Sequence, residues 1–190
     1  AAQLQEAQTR RAATQLVADV TEALLGWDAF HLVLYSHLRA DLYETVLAYD
    51  LIDGVRQEIG AIPFTPLIER AVREKDLLIL RTDPEAESPP EYRYGNQRAA
   101  ASLLLVLVQY HAEVLGVLTL ESYSPNAYNA DSLKTLRAIA DQLGIVFARL
   151  QAQEDLQSKN IELASAYDET IEGWARALEL RDTITHGHAQ

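Results

Sequence analysis

Between Ala1 and about Leu25 the chain carries neither Gly nor Pro, and Leu16, Val17, Val20 and Leu24 recur at three- and four-residue steps. That spacing predicts an amphipathic helix with one apolar face. Gly26 ends it, and the dense aromatic and branched run Trp27–Tyr35 predicts a buried strand. Asp41–Tyr49 reads as a second strand, joined to the first through the short polar link Ser36–Ala40 as an antiparallel hairpin. Asp53-Gly54 and Gly60 punctuate the next stretch, and Pro63 and Pro66 bracket a helix start. Leu67, Ile68, Ala71 and Val72 supply that helix's inner face, with an end near Lys75. Leu77–Leu80 is a brief strand, Arg81–Gln97 a long Pro- and Glu-rich loop, and Ala99–Tyr110 and Val114–Glu121 two further strands turning near His111.

Beyond Ser124-Pro125-Asn126 the period returns to helix. Leu136, Ile139, Leu143, Val146 and Leu150 alternate steps of three and four, a heptad stripe. The same register meets Gln153, Gln157 and Asn160, then resumes with Ala164, Tyr167, Ile171, Trp174 and Leu178. One reading is a single long helix whose wet middle carries the amides. The favoured one is a parallel homodimeric stalk in which polar core positions fix the register.

Helix, two strands, helix, strand, loop, two strands and a closing helix describe an α+β domain, an antiparallel sheet with helices on its faces. Composition narrows the partners. The 48% hydrophobic and 23% charged content of 190 residues suits a folded soluble chain. Its 16 Lys and Arg against 28 Asp and Glu give a net charge of −12, which opposes phosphate neutralisation and argues against nucleic acid and anionic membrane surfaces. No apolar run approaches the roughly 20 residues of a membrane span, and a cytoplasmic location is expected. The absence of Cys excludes disulfides, thiolate metal sites and a thioether-linked chromophore. The Gln-rich start without Met, and an end that interrupts a pattern, suggest a piece of a longer chain.

The stretch Ala101–Leu150, ASLLLVLVQYHAEVLGVLTLESYSPNAYNADSLKTLRAIADQLGIVFARL, resembles the last hairpin and closing helix of a GAF domain, with Gly116 and Leu118 in its glycine-then-aliphatic strand. The likeness covers about Leu16–Leu150 and implies a small-molecule or light-sensing module coupled to an enzyme. A shorter stretch, Tyr167–Gln190, YDETIEGWARALELRDTITHGHAQ, resembles the opening of an HD-GYP domain, a hydrolase of cyclic di-GMP. That resemblance implies that Thr170–Leu180 is the hydrolase's first helix, that His188 is an early metal ligand, and that a divalent ion, Fe or Mn, serves the parent enzyme. Ile184 stands where an acidic ligand can precede that histidine. The chain thus reads as a helical leader over 1–15, a GAF-like sensory domain over 16–150, a coiled-coil linker over 151–166 and the start of an HD-GYP domain over 167–190. It is expected to need no cofactor of its own and to hydrolyse no cyclic di-GMP.

Other candidate chemistry is thinner. His186 and His188 flank Gly187 at a spacing that suits a strand or loop metal site, but two ligands do not close one. Asp168 and Asp182 have no partner across a cleft and are read as solvated. Trp174 is read as packing at an interface. His31 falls on the sheet face of Val33 and Tyr35 and is taken as a structural histidine rather than a haem ligand. Arg56, Arg81, Arg93 and Arg98 with Tyr92 and Tyr94 are the groups available to an anionic ligand, although no phosphate-cradling motif for a cyclic nucleotide is present. The 81–97 loop is either a solvated connection or a lid. The leading function is a sensor that signals through the Leu136–Leu178 helix to the hydrolase; the alternative is a ligand-free dimerisation scaffold for that hydrolase.

Overall fold

A computed structural model of the chain describes residues 2–35, 43–62, 65–89 and 93–187. It comprises two compact units, 1–150 and 151–190. The first unit is built on a six-stranded sheet in the order β3-β2-β1-β6-β5-β4, every adjacent pair antiparallel. The strands are β1 (Ala29–Tyr35), β2 (Tyr43–Ile52), β3 (Val55–Glu58), β4 (Leu77–Leu80), β5 (Ser102–Tyr110) and β6 (Glu113–Ser122). The helices are α1 (Ala2–Gln5), α2 (Arg10–Leu25), α3 (Pro66–Glu74), α4 (Pro84–Glu87) and α5 (Ala130–Gly187). This is the expected α+β architecture.

Alternation along the strands sends successive side chains to opposite faces, and both faces are covered. Phe30, Leu32, Leu104, Val106, Leu118 and Leu120 meet α2 and the first turns of α5. Val33, Ala48, Leu103, Leu105 and Val117 meet Ile68 and Ala71 of α3. Two glycines set close approaches, one between α5 and the sheet and one between neighbouring strands β6 and β1. A Cβ on Gly144 of α5 would lie 2.0 Å from the Gln109 carbonyl oxygen of β5, and one on Gly116 of β6 would lie 2.3 Å from the Val33 carbonyl oxygen. Only glycine permits both contacts. The register shift between Val108 and Gln109, beside the Gly144 contact, leaves Leu115 of β6 as an extra residue, a bulge on the partner strand.

Several elements differ from the sequence expectation. The first helix is interrupted between Gln5 and Arg10, because Thr9 accepts a hydrogen bond from the Ala12 amide and so caps a new start. Its buried face is Ala13, Thr14, Val17, Ala18 and Thr21, whereas Val20 and Leu24 are exposed. Small residues win that face since they admit the sheet closely, and the two threonine hydroxyls are satisfied by donating to the Arg10 and Val17 carbonyls. Asp53-Gly54 is no mere break. With φ of 53° and 76° it forms the two-residue turn of a hairpin and creates β3, which the sequence reading omitted. Asp83 caps the short α4 inside the segment read as a loop.

The heptad stripe divides in two. Leu136, Leu143, Val146 and Leu150 are all buried in the domain's own core, so this part of the stripe needs no second copy to cover it. From Ala152 through Arg176 every residue of α5 is exposed. Trp174, expected to pack, is 73% exposed, and Tyr167 and Ile171 are each 63% exposed. The helix continues through His186 rather than opening into a strand or loop. His188, Tyr92, His37 and the Ser36–Ala40 link lie outside the described residues.

Candidate ligand cavity

Strand register builds the site. On the α3 face, one rung across the sheet runs Asp50, Ala29, Glu121, Leu103, and the next runs Ala48, His31, Thr119, Leu105. Ala29 is small between two carboxylates, and the space above it becomes a cavity of about 200 Å³. Its walls are Thr65–Ile68 from the start of α3 together with Arg81, Glu87–Pro89, Arg93, Tyr94, Arg98 and Ala100. Arg81, Glu87–Pro89, Arg93 and Tyr94 of the Pro- and Glu-rich segment thus form part of the cavity wall.

The wall is pinned by buried polar contacts. The Asp50 carboxylate, 1% exposed, accepts the Asn96 amide at 2.6 Å and, on its other oxygen, the Tyr123 hydroxyl. Gly95, at φ 61°, lies so close that a Cβ there would be 1.9 Å from Asp50 Oδ2. A side chain on residue 95 would displace the carboxylate that holds the turn. Arg93 is fastened to Glu85 Oε2 at 2.6 Å and to the Ser88 carbonyl at 2.8 Å. Arg98, stacked 4.2 Å over the Tyr123 ring, lies at the rim.

Deeper in, Tyr94 donates its hydroxyl to Glu121 Oε1 at 2.8 Å, and its oxygen lies 3.0 Å from His31 Nε2. A hydroxyl has one proton to give, so with that proton on Glu121 the Tyr94 oxygen accepts from His31 in the tautomer protonated at the facing nitrogen. Burial pushes the His31 imidazole down to about 3, which keeps it neutral and consistent with that role. Burial lifts the Glu121 carboxyl to about 6, against the opposing Tyr94 hydrogen bond and Arg81 charge. Burial raises the Tyr94 and Tyr123 phenols, assisted by the acids beside them, and lowers the Arg81 guanidinium. Arg81, 8% exposed, donates from Nη1 to the Ala100 carbonyl at 2.9 Å. Thr119 is 1% exposed, and its hydroxyl finds no hydrogen-bond partner among the described residues.

Of the residues singled out from sequence, His31, Arg81, Arg93, Arg98 and Tyr94 converge on this cavity. Arg56 does not. It pairs with Asp19 and Glu22 of α2 and lies over Trp27 and Tyr49, a contact with the helix that covers the other face. Asp50, Thr119, Glu121 and Tyr123 were missed. Their signal was strand parity with His31, readable only once the register of three strands is known. His111 sits exposed at the β5–β6 turn, and Asp168 is exposed on α5. Among the described residues no group of three or more His, Asp or Glu could hold a metal ion, and no helix is long and apolar enough to cross a membrane.

The fold has counterparts. The model of the GAF domain family matches residues 7–148. No curated protein matches the chain by sequence. Among solved structures, the chain is similar to the GAF domain of a phosphoenolpyruvate-protein phosphotransferase from Coxiella burnetii, with a TM-score of 0.61 at 18% identity over 80% of this chain and 90% of that one. Residues 122 to 287 of a methyl-accepting chemotaxis protein give a TM-score of 0.60 at 16% identity over 80% and 96% of the two chains. A GAF domain/HD domain protein from Geobacter sulfurreducens gives 0.58 at 12% identity over 78% and 98%. At these identities the likeness is one of fold, whereas the family match spans the sheet, its covering helices and the cavity, and on that match the chain belongs to the GAF domain family.

Proposed function

We propose that the chain is the sensory part of a signalling protein, in which a small molecule occupies the cavity walled by Glu87–Pro89, Arg93, Tyr94 and Arg98 and its occupancy is relayed through α5 to an HD-GYP hydrolase of cyclic di-GMP. The observation that carries this reading is the double role of β5. Its Leu103 and Leu105 line the cavity, while its Leu104, Val106 and Val108 pack in the core that contains α5. At Gln109 the strand's backbone meets Gly144 with no side chain between them. A close-packed contact of this kind shifts as a unit rather than deforming gradually, so a ligand that moves β5 also moves the start of α5. The buried charges around the cavity support a sensor over a bare scaffold, because an inert core has no use for uncompensated polar groups.

The hydrolase assignment is supported by the resemblance of Tyr167–Gln190 to an HD-GYP opening, and by the combination of GAF and HD domains in the Geobacter sulfurreducens protein. Within that reading His188 is a ligand for Fe or Mn in the parent enzyme. A homodimer pairs α5 with its copy along Tyr167, Ile171 and Trp174, an exposed stripe at coiled-coil spacing. Gln153, Gln157 and Asn160 hold alternative registers close in energy.

The test is cyclic di-GMP hydrolysis by the parent protein carrying Asn160→Leu. Loss of ligand response with basal turnover retained is expected, together with a dimeric mass of the 190-residue chain by light scattering. A response unchanged by the substitution overturns the relay, and a monomeric mass overturns the stalk. His188→Ala is expected to lower metal occupancy and turnover together, and normal metal content in that variant removes His188 from the ligand set.

A further inference from the structure

We propose that the cavity is a receptor for a small zwitterion, an α-amino acid with a short aliphatic side chain, whose ammonium is held by Glu121 and Thr119 and whose carboxylate is held by Arg81. This assignment rests on the cavity being a ligand site and adds the class of ligand it takes.

Elimination leaves few groups for a ligand. Both oxygens of Asp50 are taken, by the Asn96 amide and the Tyr123 hydroxyl. Arg93 is committed to Glu85 and Ser88, Glu87 accepts the Thr82 and Asp83 amides, and Arg98 stacks on Tyr123. What remains inside is one acid, one base and one hydroxyl. Glu121 has Oε1 engaged by Tyr94, Arg81 gives one N–H to Ala100, and Thr119 Oγ1 is unpartnered among the described residues. Arg81 and Glu121 attract each other electrostatically, yet no direct ion pair joins them among the described residues. Glu87 also acts on Arg81, but a cation alone would compete with Arg81 for Glu121, and an anion alone would compete with Glu121 for Arg81; a ligand with both charges gives each group a partner without opposing the other.

Size and lining agree with that class. An apolar cavity of about 150 Å³ takes benzene, so the 200 Å³ here holds roughly eight or nine non-hydrogen atoms by the same scale. Valine and leucine are of that size, while a cyclic nucleotide, a haem or a tetrapyrrole is far too large. Leu67, Ile68, Leu103 and Leu105 offer an aliphatic wall, and the remaining polar groups are few and placed to orient, as in other small-molecule sites.

The test is calorimetric titration of the 190-residue chain with L-leucine and L-valine, with 3-methylbutylamine, which is leucine without its carboxylate, and with 4-methylpentanoate, which is leucine without its ammonium. An amino acid is expected to bind roughly ten- to a hundredfold more tightly than either half-molecule, the worth of one hydrogen-bonded charge. Glu121→Gln is expected to weaken the amino acid and the amine and leave 4-methylpentanoate unchanged. Arg81→Gln is expected to do the reverse; should that variant not fold, the Glu121→Gln pattern and the wild-type series decide alone. Equal binding of leucine and either half-molecule overturns the zwitterion. If neither amino acid binds while a different metabolite is found bound to the chain by native mass spectrometry, the zwitterion falls and the sensor reading stands. If no metabolite binds at all, both fall.

Discussion

The two faces of the sheet are made by the same strands and differ in chemistry. Under α2 and α5, β1, β5 and β6 present Phe30, Leu32, Leu104, Val106, Leu118 and Leu120, all buried, with no charge among them. One residue along the same strands, under α3 and the wall formed by Glu87–Pro89, Arg93, Tyr94 and Arg98, stand His31, Thr119 and Glu121, with Asp50 from β2. A face that is only a core fills its volume with apolar side chains. A face that buries an acid, a base and an unpartnered hydroxyl around an open volume accepts a cost in stability, and such costs concentrate at functional sites. The contrast supports the proposed division, with stability on one side of the sheet and ligand recognition on the other.

The largest expected effect separates the faces by pH. The His31 imidazole is depressed from 6.5 to about 3, so the unfolded chain takes up the proton first as pH falls. Stability contributed by the neutral ring is full above 6.5 and is lost through the window down to about 3, on the order of 5 kcal/mol in total. Urea unfolding at a series of pH values should show that slope, and His31→Gln should flatten it. A slope that survives the substitution places the acid sensitivity elsewhere.

Phe30→Ala on the dry face should cost about 3–4 kcal/mol at every pH, with ligand affinity per folded molecule unchanged. A loss of affinity in the folded variant would break the division of labour. Gly144→Ala places a methyl against the Gln109 backbone, and should cost about 1–3 kcal/mol as overpacking. Because the contact joins β5 to α5, this variant should also blunt the ligand response of the parent enzyme.

Glu121→Gln should stabilise the unliganded chain by about 2 kcal/mol at pH 7. The sign comes from a folded value of about 6 against 4.5: the folded state holds its proton longer, so stability is greatest below 4.5 and declines as pH rises to 6. Removing the carboxyl removes that decline, opposite in sign to the His31 effect over the same window. The smallest change is Thr119→Val, expected to alter stability by less than about 1 kcal/mol because no hydrogen bond is lost. Its affinity for the amino acid should nonetheless fall, and an unchanged affinity would show that the hydroxyl takes no part in recognition.

Much of this molecule was legible along the chain. The helix–strand order, the 81–97 segment as a possible wall, and five of the cavity's side chains were within reach of pattern and residue type. Local signals fixed these because each concerns neighbours in sequence: a period of two or of three to four, a Pro before a helix, a Gly after one. Two local signals were read too weakly, Thr9 as a helix start and Asp53-Gly54 as a hairpin turn. The helix faces were less legible. Val20 and Leu24 belong to an apolar stripe by spacing, yet α2 turns its small residues to the sheet, since closeness of approach outweighs the hydrophobicity of any one side chain.

What the sequence by itself determined is the kind of domain: an acidic, cysteine-free α+β chain with a long terminal helix. What only the tertiary structure decided is the site and the division of the heptad stripe. Asp50, Ala29 and Glu121 share one rung through the pairing of β2, β1 and β6, and a shift of one residue in either pairing would turn the site toward the opposite face. Leu136 to Leu150 and Tyr167 to Trp174 carry the same periodicity, but the first set is buried by the sheet and the second is exposed. Periodicity specifies that a face must be covered; only the folded chain specifies by what.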